Sequence, residues 1–208
     1  MGLTEGVLTV TRRFLIHIGP AKTGTSSLQE ALFRHRKDLA AAGFRYPVLG
    51  RHDRMPRLTG HHGLPAVLRS GGALPAAFLD WAAALPPEQT VLLSSEDFAH
   101  LTEPQVRRLA EQAGAARMGV VYYARRWDRL MPSVWQELVK HGETRSYPEF
   151  LAAQTAAPRA SVYLNFAVPL DRWAAVCGAR NIRLYSYDGI RSGGDDTVAH
   201  FFREVLGL

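Results

Sequence analysis

The chain has 208 residues, 47% hydrophobic and 21% charged, a balance that excludes a disordered or fibrous protein and supports a sizeable core. No stretch approaches the roughly 18 uninterrupted apolar residues of a membrane-spanning helix. Lys and Arg total 25 against 19 Asp and Glu, a net charge of +6 that favours an anionic partner. The basic residues are scattered, however, with short clusters at Arg12-Arg13, Arg34 to Lys37 and Arg125-Arg126, so nucleic acid is not the expected partner.

Phe14 to Ile18 is a short aliphatic run closed by Gly19-Pro20, the pattern of a buried strand. From Ser26 onward, Leu28, Ala31, Leu32, Leu39 and Ala42 fall on one helical face, and Gly43 is placed to end that helix. The segment Pro47 to Gly72 is irregular, with Pro, Gly and three His, and is expected to line or cover a site. Val91 to Ser95 forms a second strand ending in Glu96-Asp97. Thr102-Glu103-Pro104-Gln105 then starts a helix with a capping box, and Gly114 closes it. Met118 to Tyr123 is a third strand, followed by a helix from Trp127 to His141 that Pro132 interrupts or kinks. Another helix starts near Ser146, one spans Leu170 to Val176, a fourth strand spans Ile182 to Tyr187, and a last helix covers Asp196 to Val205.

Strands alternating with helices predict an α/β fold: a three-layer sandwich with a central, mostly parallel sheet, formed as a single domain over residues 1–208. Ligands of such sheets lie beyond the carboxyl ends of the strands, which directs attention to the residues after Ile18, Ser95 and Tyr123. One cysteine, Cys177, offers no internal disulfide and no metal cluster. With no secretory leader in Met1 to Thr11, a cytoplasmic location is expected.

The segment from His17 to Ser27 joins the first strand to the first helix. Gly19 and Gly24 let the backbone approach an anion, Lys22 supplies a point charge, and Thr23, Thr25, Ser26 and Ser27 supply hydroxyl donors. An ordinary capped turn needs one hydroxyl and one glycine, and it leaves the lysine unexplained. The nucleoside triphosphate loop G-x-x-x-x-G-K-[ST] does not fit, because Thr25 stands where its lysine belongs. Neither Glu96 nor Asp97 makes a convincing Walker-B aspartate.

The lysine ahead of the second glycine, in Pro20-Ala21-Lys22-Thr23-Gly24-Thr25-Ser26, resembles the 5′-phosphosulfate loop of the sulfotransferases that use 3′-phosphoadenosine 5′-phosphosulfate (PAPS), with one inserted alanine. A second element looks like that family's 3′-phosphate motif: Arg125 at a strand end, and Ser133 eight residues on. His61 to Leu64, Ser94 to Glu96, Trp173 to Gly178 and Ser192 to Gly194 are similar in kind to segments of bacterial members. The resemblance implies a P-loop-like site that takes PAPS, releases 3′,5′-adenosine bisphosphate (PAP) and needs no metal, with Lys22, Thr23, Gly24, Thr25, Ser26, Ser27, Arg125 and Ser133 binding the donor. The acceptor would be a hydroxyl or amine of a small molecule or carbohydrate, with neither nucleic acid nor membrane as partner and the oligomeric state left open. The Gly-rich basic segment that closes over the nucleotide in the family's animal cytosolic enzymes is not evident, and Ser192 to Gly194 is the substitute on offer.

A general base is worth about 10²–10⁴-fold in such a reaction, and His or Glu serves in this family. Glu96 ends the strand whose counterpart carries the base in the cytosolic enzymes, and His62, with its neighbour His61, is the alternative. His100 and His17 are lesser candidates, and Trp135, Gln136 and Lys140 lie where an acceptor could meet them. Two other readings stay open: a kinase of related fold, and a nucleotide-binding module without catalysis.

Overall fold

The computed structural model describes residues 12–51, 58–161 and 163–208. The leader expectation for Met1 to Thr11, and residues 52–57 of the irregular segment, lie outside the described residues.

Five strands form one sheet in the order β2-β3-β1-β4-β5, every pairing parallel: β1 (Arg12–His17), β2 (Phe44–Arg45), β3 (Thr90–Ser94), β4 (Ala115–Ala124) and β5 (Ile182–Ser186). The central strand β1 is buried on both sides because its alternate residues serve different layers. Phe14 and Ile16 face one layer and Leu15 the other. Register follows from this: Ile16 stands beside Leu93 of β3 and Val120 of β4, extending one apolar row across three strands.

That row packs under α3 (Gly63–Arg69), α4 (Ala76–Ala83), α5 (Glu103–Gln112) and α8 (Ala167–Cys177), through Leu64, Leu68, Phe78, Val106, Leu109 and Trp173. The opposite row, Leu15, Leu92, Val121 and Tyr123, packs against Leu28 and Leu32 of α1 (Thr25–Arg34) and Leu39 of α2 (Arg36–Ala41). Phe201, Val205 and Leu206 complete that layer from the π-helical turn Phe201–Leu206, which follows α10 (Thr197–His200). A separate cluster of Leu130, Met131, Val134 and Phe150 joins α6 (Trp127–Lys140) to α7 (Tyr147–Ala156). The three layers and four of the strands therefore stand as the sequence predicts.

Several local expectations are corrected. The helix from Ser26 to Ala42 is two helices that break at His35, and Gly43 ends the second at φ 89°. Helix α3 lies within the Pro47 to Gly72 segment expected to be irregular, α4 occupies ground the sequence leaves unassigned, and β2 is a two-residue strand. Pro132 lies inside a continuous α6. After β5 the chain turns through α9 (Tyr187–Ser192) before reaching α10.

Because β1 leads into α1 on one face, while β3 leads through the turn Glu96–His100 into α5 on the other, the connections diverge between these neighbouring strands. Such a switch point leaves a crevice beyond the carboxyl ends.

Candidate functional site

The crevice is a cleft of about 490 Å³ lined by Ala21, Lys22, Gly24, Thr25, Ser26 and Ser27, with Glu96 from after β3, Arg125 from the end of β4, and Ser133, Gln136, Glu137 and Lys140 from α6. Three residues of the loop between β1 and α1 are left-handed: Gly19 at φ 97°, Lys22 at 68° and Gly24 at 78°. For a long side chain such as Lys22 that conformation costs about 1–3 kcal/mol, a strain that clusters at functional sites. The ten-residue helix α1 begins at Thr25 with Gly24 as N-cap and no acidic residue in its first turn. Its leading N–H groups and dipole thus face the cleft uncapped by any side chain, the arrangement that suits an anion.

Hydrogen bonds from four directions hold the loop. Thr23 and Thr25 hydroxyls both donate to the Pro20 carbonyl, at 2.7 and 3.1 Å. The Tyr123 N–H donates to the Gly19 carbonyl at 3.1 Å, Arg125 Nη1 to the Lys22 carbonyl, and the Thr197 hydroxyl to the Thr23 carbonyl. Thr23 is therefore a buried brace of the loop and does not line the cleft. Ser26 and Ser27 are exposed at the helix start and do line it.

Arg125 combines two roles. One guanidinium nitrogen fixes the loop, its ring-facing side lies 5.3 Å over Tyr187, and its buried Nε has no partner among the described residues. A buried donor without an acceptor costs about 1–3 kcal/mol, which an anionic ligand oxygen would relieve. Ser133 stands on the same wall, its hydroxyl turned back onto the Arg129 carbonyl at 3.0 Å. Arg125 also borders a neighbouring hollow of about 460 Å³, lined by Arg126, Trp127, Asp128, Phe166 and Asp188. A third hollow, about 250 Å³, lies between Gly24, Ser27, Tyr187, Arg191 and Thr197. Its basic residue is Arg191; Ser192 instead ties its hydroxyl to the Gly189 carbonyl.

Glu96 reaches the cleft, where Gln29 Nε2 of α1 holds its Oε2 at 3.1 Å. His62 is not among the lining residues; its Nδ1–H faces Asp97 Oδ2 at 2.9 Å and Ser95 Oγ at 3.0 Å. Partial burial pulls the His62 pKa down, but the Asp97 hydrogen bond and the charges of Glu96 and Asp97 outweigh it and leave the pKa raised. His61 is fully buried with both ring nitrogens engaged, by the Pro47 carbonyl and the Ser94 N–H, and burial lowers its pKa to about 4. His17 is likewise buried, bonded to Ser94 at 2.9 Å and lowered by burial to about 3. Both are neutral core histidines. His100 sits at the end of the turn after Glu96, away from the cleft lining, with its pKa lowered by burial.

Gln136 and Lys140 face the cleft, whereas Trp135 packs beside Tyr147 and donates to the Arg145 carbonyl at 2.9 Å. Tyr122 and Tyr123 point into opposite layers, and neither lines the cleft. Cys177 is half-buried and bonded to the Trp173 carbonyl, with burial raising its pKa.

Glu137 is the residue sequence reasoning missed. Its carboxylate is 2.7 Å from Lys22 Nζ, 3.0 Å from Lys140 Nζ and 3.5 Å from His141 Nε2. The Lys22 hydrogen bond, then that of Lys140, holds its pKa down at about 2. The signal was available: Glu137 is four residues beyond Ser133 on one helix, so the two share a face. Gln29 and Thr197 carried no comparable signal.

A strand, a loop with three left-handed residues and a helix N-terminus, set at the switch point of a parallel β2-β3-β1-β4-β5 sheet, define a P-loop-like α/β fold. Its architecture is sulfotransferase-like: the chain is similar to the crystal structure of a sulfotransferase from Alicyclobacillus acidocaldarius, with a TM-score of 0.54 and 17% sequence identity over 95% of this chain and 82% of that one. At that identity the likeness concerns the fold. No protein-family model and no curated protein matches the sequence. Among the described residues no helix is long and apolar enough to cross a membrane.

Proposed function

We propose that the protein is a sulfotransferase that takes PAPS as donor and moves its sulfuryl group to a hydroxyl or amine of a small molecule or carbohydrate. The observation that carries this reading is the pairing, in one cleft, of the left-handed Lys22 loop at the α1 N-terminus with Arg125 and Ser133. Two anion-binding groups in one cleft, the Lys22 loop and the Arg125–Ser133 pair, suit a ligand with phosphates at two places. The fold likeness supports the same reading.

The donor supplies an activated sulfuryl group on its 5′-phosphate. In this reading the α1 amides, Lys22, Thr25, Ser26 and Ser27 bind that end, and Arg125 and Ser133 bind the 3′-phosphate, where the unpartnered Nε of Arg125 finds an acceptor. Tyr187 and Arg191 border the hollow next to Ser27 and offer an aromatic face and a charge for the adenosine. Glu96, oriented by Gln29, accepts the acceptor's proton at its carboxylate. Most of the rate would come from positioning and fixed positive charge.

Titration calorimetry with PAP, with adenosine 5′-monophosphate, and with ATP plus magnesium tests the reading. Binding of PAP well above both others is expected, since only PAP carries a 3′-phosphate for Arg125 and Ser133. Preference for ATP with magnesium would overturn it in favour of a kinase. Silence from all three would favour a module without donor chemistry.

A further inference from the structure

The cation central to the cleft is already paired. Lys22 Nζ lies 2.7 Å from Glu137, and the side chains are 29% and 39% exposed, so water does not screen the pair as fully as at an open surface. An anion that needs the Lys22 ammonium meets this carboxylate first. Glu137 has a second cation in reach: Lys140, three residues on along α6, at 3.0 Å, with His141 at 3.5 Å.

We infer that Glu137 is a counter-ion lock on Lys22: it holds the ammonium until an anionic ligand takes its place, and then keeps Lys140, which already shares the same carboxylate oxygen. Glu137 is thus a positioning residue that acts through Lys22. The inference rests on the cleft being an anion site, and in its full form on the donor reading above.

The lock sets a threshold. A ligand binds with its intrinsic affinity reduced by the fraction of molecules in which Lys22 is free. That factor is the same for every ligand that claims the ammonium. A ligand anchored at Arg125 and Ser133 as well clears it, whereas a lone phosphate or sulfate relies on the loop and falls below useful affinity. The left-handed backbone at Lys22 fits this role, because the carbonyl pinned by Arg125 keeps the side chain on the α6 side of the loop. Lys140 lowers the cost of release, since its ammonium already bonds the same Oε2 and stays with the carboxylate when Lys22 leaves.

The test is calorimetry with PAP and, separately, with inorganic pyrophosphate, a probe that needs no nucleotide site. Removing an opposing charge from a partly exposed pair predicts tighter binding of both to Glu137→Gln, by about three- to tenfold, at 0.1 M salt. A merely structural role for Glu137 predicts the opposite sign, looser binding. In a Lys22→Met background the gain is expected to vanish, and persistence of the gain there would overturn the lock. Lys140→Met is expected to weaken binding more when Glu137 is present than in Glu137→Gln, where only its own charge at the cleft is lost; equal weakening in both would overturn the part given to Lys140. Equal PAP affinity in wild type and Glu137→Gln would overturn the lock while leaving the donor reading standing. A pyrophosphate gain with no PAP binding in either protein would uphold the lock and overturn the donor reading. Because Glu137 is a partly exposed side chain on an intact helix, a thermal midpoint within about 2–4 °C of wild type is expected for the variant and would show that it folds.

Discussion

The Thr197 hydroxyl donates a 2.8 Å hydrogen bond to the Thr23 carbonyl, so the penultimate helical segment anchors a loop 174 residues earlier in the chain. Both residues are buried, and a Cβ built on neighbouring Gly24 would sit 3.1 Å from the same hydroxyl oxygen. The anion loop is therefore shaped from outside as well as by its own glycines.

Thr197→Val keeps the volume and deletes the donor, leaving a buried carbonyl short of a partner. A loss of about 1–2 kcal/mol is expected, lowering the unfolding midpoint by about 2–8 °C for a chain of this size. Affinity for PAP is expected to fall with it, because a looser loop must be ordered on binding. Thr197→Ser, which keeps the hydroxyl, is expected to retain both. Equal midpoints for the Val and Ser variants would contradict the anchoring role.

Much of this site is legible in the amino-acid sequence. Runs such as Phe14 to Ile18 and Val91 to Ser95 have one physical use, burial on both faces of a parallel sheet, so the strands and their order in the chain follow. Lys22 and Arg125 are legible because a cation beside glycines, or at a strand end, has few structural uses. By contrast, β2 has two residues and no periodicity to read, and the Ala-rich α4 lacks a polar face to set one. The break at His35 falls inside an unbroken apolar stripe, where tertiary packing decides. Contacts such as Lys22 with Glu137, 115 residues apart, exist only once the chain has folded. His61 and His62 show the limit most clearly: adjacent and identical in type, one is a neutral core residue and the other an ion-pair partner.

Gly60 controls Glu96 at one remove. A Cβ at Gly60 would lie 2.5 Å from Gln29 Cδ and 2.8 Å from its Nε2, the atom that holds Glu96. Gly60→Ala is expected to displace Gln29 and leave the carboxylate unoriented. PAP binding should persist while sulfuryl transfer, followed as PAP released with water as acceptor, slows by about tenfold or more. Loss of PAP affinity with an unchanged rate constant would refute this route.

The His62–Asp97 pair predicts a pH signature. Since the His62 pKa is raised on folding, its stabilisation is fully present below the ordinary histidine value of 6.5 and is lost as pH rises through the raised value. The Asp97 pKa is lowered, chiefly by the His62 hydrogen bond, so its share is present above 3.8 and lost as pH falls through the lowered value. The midpoint difference between wild type and His62→Gln is therefore expected to be largest between the lowered Asp97 value and the ordinary histidine value of 6.5, and to shrink as pH rises through the raised His62 value. Parallel midpoint curves across that range would contradict the pairing.

Gly19 brings the two strand ends together. Its φ of 97° is open to glycine, and a Cβ would meet the Glu96 Cα and Cβ at 3.0 Å. Gly19→Ala is expected to cost about 1–3 kcal/mol from backbone strain alone and to shift Glu96 away from the loop. The measurement is urea unfolding, and a midpoint within error of wild type would show that the close approach does not matter.

The central claim is that the Lys22 loop and Arg125 serve one donor site, and thermal unfolding with PAP tests it most directly. At a hundred times its dissociation constant a ligand stabilises the folded state by about 2.7 kcal/mol. For a chain of this size that corresponds to a rise in midpoint of about 5–10 °C. The account predicts such a rise for wild type, lost in both Lys22→Ala and Arg125→Ala. An undiminished rise in either variant, or none in wild type while ATP with magnesium produces one, would contradict it.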